Sequence, residues 1–137
     1  MKLSILVLLA AITSPCIAQV FRFGPPKGTA LYSREHHQPS PDGYSGVKPV
    51  VIVDKKEMTI IWGDSDLAGA SEKAWKGPII NRTSNTISAI VTDVGAGGSA
   101  VMLYTIDIKH GFLYMSSHKE NEILGSSAAS FVAVREK

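Results

Sequence analysis

Cysteine is almost missing from this chain: its 137 residues include one, Cys16, which lies in the opening apolar stretch. Beyond that stretch there is no disulfide, no thiol nucleophile and no cysteine-ligated metal, so the fold must be held by burial alone. No apolar run reaches the ~20 residues that a membrane-crossing helix requires. The longest, 3–12, is interrupted only by Ser4 and has about half that length. An excess of one charge is lacking too, with 14 Lys and Arg against 12 Asp and Glu. No Gly-x-Ser-x-Gly elbow occurs, and the glycine-rich stretch Gly95-Ala96-Gly97-Gly98 opens a strand pattern with no lysine after it, which excludes the usual phosphate cradle.

What is present at the start has the grammar of an export signal. Lys2 supplies the positive start and 3–12 the apolar run, Thr13-Ser14-Pro15 breaks any helix, and Cys16-Ile17-Ala18 offers small residues to a peptidase. Cleavage after Ala18 is expected, leaving a mature protein that begins at Gln19 with no integral membrane segment. Lipidation of Cys16 fits poorly, because the leucine expected three residues upstream is missing and Pro15 precedes the cysteine. Removing 18 of 137 residues leaves 119, enough for one core. Lys2 departs with the leader, so 13 basic side chains remain against 12 acidic. That balance gives no electrostatic footprint for nucleic acid or for an anionic membrane. A small exported domain without disulfides points to a bacterial periplasmic or secreted setting. The triplet Asn81-Arg82-Thr83 would matter only in a eukaryotic host.

The remainder divides into a leader (1–18), an extended Pro/Gly-rich arm and loop (19–48), and an antiparallel β domain (49–137). Residues 19–48 contain Pro25, Pro26, Pro39 and Pro41, and predict one short strand at 29–33. From Pro49 the pattern alternates. Strands are expected at 50–53, 58–62, 86–93, 100–108, 112–117 and 129–135. Met58, Ile60 and Trp62 share one face; so do Ile87, Ala89 and Val91, then Ala100, Met102, Tyr104, Ile106 and Ile108, then Phe131 and Ala133. Gly111 is placed to take a positive φ in the turn before Phe112. At most one short helix is expected, near residues 66–76, ended by Gly77-Pro78. The whole predicts an all-β fold, a single small antiparallel barrel-like or sandwich domain of about seven strands.

The candidate site residues are few. The metal-ligand candidates are His37, His118 and Glu120, but their spacing matches no usual ligand set. His36 and His37 point opposite ways if extended, and His110 and His118 stand roughly 26 Å apart along a strand. Two carboxylate pairs, Asp64 with Asp66 and Glu120 with Glu122, fall in polar connections where solvation is expected. Tyr44 and Trp75, both expected on loops, are the candidate recognition anchors for a protein surface or a small apolar ligand. For Trp75 the alternative is a lid folded over one end of the sheet. No cofactor is expected. The leading expectation is a non-enzymatic exported binding module. The alternatives are a small hydrolase or metal-dependent enzyme with a histidine/carboxylate site at one end of the sheet, and an envelope structural protein.

Overall fold

The computed structural model describes residues 18–43, 47–63, 73–95, 97–122 and 125–137. The leader up to residue 17, Tyr44, and residues 66–72 of the expected helix lie outside the described residues. The strands in chain order are β1 (Gln19–Arg22), β2 (Lys27–Tyr32), β3 (Pro39–Gly43), β4 (Lys48–Val53), β5 (Glu57–Gly63), β6 (Lys73–Arg82), β7 (Thr86–Gly95), β8 (Gly98–Asp107), β9 (Phe112–Asn121) and β10 (Gly125–Val134). They form one antiparallel sheet in the order β1-β4-β5-β6-β7-β8-β9-β10-β2-β3. A 3-10 turn, Ser33–Glu35, follows β2.

The all-β expectation holds, but with ten strands instead of about seven. The additional ones are β1, β3 and β6. Stretch 19–48, read mainly as arm and loop, therefore supplies strands to the sheet. Pro39 and Pro41 misled because proline cannot donate to a ladder; β3 tolerates them as an edge strand paired only to β2. The expected helix near 66–76 is contradicted at Lys73–Lys76, which belong to β6. There Gly77-Pro78 bends a strand instead of ending a helix. β6 pairs with β5 up to Pro78 and with β7 from Ile79, with a register irregularity between Ile79 and Asn81. A Cβ on Gly77 would stand 1.9 Å from the Ile90 carbonyl oxygen, so only glycine allows the bent strand to approach β7 this closely.

The curl brings the sheet's ends together. β1 runs on through Phe23–Pro26 into β2, so one continuous segment borders β4 with its first half and β10 with its second. Phe23 bridges to Arg135, the Gly24 amide donates to the Val134 carbonyl (2.8 Å), and the Glu136 amide donates to the Arg22 carbonyl (2.9 Å).

The strand period sorts the side chains. The expected faces of β5, β7, β8 and β10 are the buried ones: Met58, Ile60, Ile87, Ala89, Val91, Met102, Tyr104, Ile106, Phe131 and Ala133 all lie in the core. Register stacks them in rows. Ile87, Ile106, Leu113 and Ala133 are successive partners, and above them come Ala89, Tyr104, Met115 and Phe131. Each fully buried Ile, Leu or Phe contributes about 1.5–3 kcal/mol of apolar transfer, which substitutes for the missing disulfides.

Candidate functional site

Toward the end of the sheet that carries the β7–β8 turn and the β9–β10 connection, the inner rows change character. The next row is Val91, Met102, Ser117, Ala129 and Ala30; the one beyond it is Asp93, Ala100, Lys119, Ser127 and Tyr32. Gly95, Gly98, Asn121 and Gly125 form the rim. Alanine and glycine at so many inward positions cannot fill the space that Phe, Tyr and Leu fill lower down. The result is a cavity of about 480 Å³, within the range of small-molecule sites. Phe131 lies at its floor, and Tyr32, whose ring carries the Arg34 guanidinium 5.4 Å from its centroid, lies at its wall.

A narrow crevice lined by Trp62, Trp75, Met102, Ser117, Lys119 and Phe131 shares its last three residues with the cavity. The two indoles meet edge to face, with centroids 6.1 Å apart and planes at 67°, and both indole nitrogens are buried. Trp75 is therefore on a strand and not on a loop. It sits in β6 and packs partly buried against the core. Below, the fully buried Tyr104 donates its hydroxyl to Met102 Sδ at 3.5 Å.

The opposite end of the sheet is closed by polar turns. The Asp54 carboxylate accepts the amides of Lys56 (2.8 Å) and Glu57 (2.7 Å), which hold its pKa below the ordinary value, while Arg82 donates to the Asp54 carbonyl. The Asp107 carboxylate binds the His110 ring at 2.8 Å and the His110 amide at 3.0 Å, and is lowered for that reason. Gly111 takes the expected positive φ, 75°, in this turn.

The remaining candidates do not converge. His36 and His37 are exposed with φ of 54° and 55°, in the turn between β2 and β3. His118 and Glu120 fall on the outer face of β9, where only Glu120 touches the cavity, at its rim. Among the described residues no group of three or more His, Asp or Glu is placed to share a metal ion. Asp64 and Asp66 lie outside the described residues.

Sequence reasoning missed Lys119, Ser127, Asp93 and Tyr32. A signal for them existed. Along the inner face of β9 the residues run Leu113, Met115, Ser117, Lys119, Asn121, a face that turns from apolar to polar halfway. Compared with known proteins, the chain matches no family model and no curated protein.

Proposed function

We propose that this is an exported, non-enzymatic β-barrel that binds a small molecule in the cavity at one end. The barrel reading rests on the seam: β1 and β2 share one strand position, β3 and β4 lie end to end beside it, and the ten strands thus occupy eight positions around a common interior. Eight strands enclose a space just large enough for side chains or one small ligand. The observation that carries the function is the polar row Asp93–Lys119–Ser127–Tyr32 facing inward above an apolar floor. Polar side chains placed inside a barrel are costly unless something needs them. The ligand is therefore amphipathic, in place of the apolar one expected from sequence. Against an enzyme stands the outward orientation of His118 and Glu120. Against a purely structural role stands the unfilled volume.

Export rests on the leader pattern. Loss of residues 1–18 removes nothing from any described strand, since β1 begins at Gln19. Mass spectrometry of the processed protein should give an N-terminus at Gln19. Binding is tested by thermal shift against a library of small amphipaths. A ligand at a hundred times its Kd stabilises by about 2.7 kcal/mol, and Ala100→Trp, which fills the cavity, should abolish the shift. A response that survives in the filled variant, or none from any compound, overturns the reading.

A further inference from the structure

The polar row is unevenly furnished. Lys119 is the one basic side chain lining the cavity among the described residues. It is half-buried, and among those residues it forms no ion pair and no side-chain hydrogen bond. Asp93, at the far end of the same row, is already engaged in an interaction of its own. Ser127 is the direct cross-strand partner of Lys119, with the Cβ atoms of such pairs about 5 Å apart, and Ser117 precedes Lys119 on the same face. Lys119, Ser127 and Ser117 thus line one cavity together with Ala30, Ala129 and Phe131. Inside a partly desolvated cavity this cation is half of an ion pair whose attraction is strengthened by the low dielectric around it.

Resting on the binding reading above, the geometry points to a small monocarboxylate with an apolar body as the ligand class. Its carboxylate meets Lys119 Nζ and the Ser127 hydroxyl, and its body lies against Ala129 and Phe131. A dianion such as a phosphate monoester fits less well, because one cation faces it while the Asp93 carboxylate shares the row and Glu120 stands at the rim. The cavity volume of about 480 Å³ admits a bicyclic acid.

Three probes of one shape separate the possibilities: 2-naphthoate, 2-naphthamide and 2-naphthylmethylammonium, titrated calorimetrically into the purified protein. A naphthyl dianion, 2-naphthyl phosphate, forms a fourth arm. The carboxylate should bind about tenfold tighter than the amide, as expected of a charge-assisted hydrogen bond, and the ammonium should bind weakest. Lys119→Met keeps the apolar stem and should erase the preference, whereas Lys119→Arg should retain it. If amide or ammonium binds as tightly as the acid, if the phosphate binds tightest, or if Lys119→Met leaves the preference intact, the carboxylate assignment falls while the binding reading stands. If none of the four binds, the assignment falls. If the library screen is also silent, the binding reading falls with it.

Discussion

Asp54 and Asp107 show how single residues fix this sheet's turns. Each carboxylate accepts hydrogen bonds from amides of its own turn, and both are held below their ordinary pKa values, Asp54 by the Lys56 and Glu57 amides and Asp107 first by the His110 side chain. For an acid with a depressed folded-state pKa, the stabilisation is fully present above the unfolded value, about 3.9, and is lost as pH falls through the lowered one. Asp54→Ala should therefore lower the urea midpoint at pH 7, and the gap to wild type should shrink at acid pH as Asp54 protonates through its lowered pKa. A gap of constant size at neutral and acid pH would mean that the carboxylate's charge is irrelevant there. Gly77 acts by what it lacks. Since a Cβ would reach within 1.9 Å of the Ile90 carbonyl oxygen, backbone must move to admit it. Gly77→Ala should cost about 2 kcal/mol or more in chemical denaturation, as overpacking against backbone does.

Within one strand, β9 passes from the core to the cavity. Its inner face begins with Leu113, fully buried, and passes through Met115 to Ser117 and Lys119 at the cavity, while Tyr114 between them is 43% exposed. Leu113→Ala should cost about 3 kcal/mol, the usual effect of a core cavity. Ser117→Ala should stay within about 0.5 kcal/mol and weaken only ligand binding. Paired denaturation curves and titrations separate the two, and equal costs would refute the difference. The same strand shows what sequence could reveal. Strict alternation made the core faces of β5, β7, β8 and β10 legible, because period two is imposed by the backbone whatever the partners. It could not distinguish a polar inward position from a solvent-facing one, so the β9 reading stopped short of Lys119 and the site went unseen. β6 was misread for a local reason: Ala74, Lys76 and Gly77-Pro78 suit a short helix with a stop, and pairing to β5 overrides that preference.

At the scale of the whole molecule, the seam and the cavity lie at different heights along the same segment. Phe23, fully buried, bridges to Arg135, and Arg135 also lies over the Phe21 ring at 5.0 Å. The Arg135 amide donates to the Gly111 carbonyl at 2.8 Å, and Glu136 pairs with Lys48 at 2.8 Å. The cavity end of the segment is held separately, by the β2–β10 ladder from Lys27↔Val132 to Tyr32↔Ser127. Deleting residues 135–137 removes the Arg135 and Glu136 amide bonds, the Phe23 bridge and the Lys48 ion pair, yet leaves that ladder whole. Local opening free energies follow the contacts of each cooperative unit. Amide exchange should therefore accelerate at Phe23 and Gly24 in the truncated protein, while Ala30 and Ala129 keep their protection and naphthoate affinity is unchanged. Loss of protection at both ends together would show that seam and cavity open as one unit, and that the cavity depends on closure at the far end of the sheet.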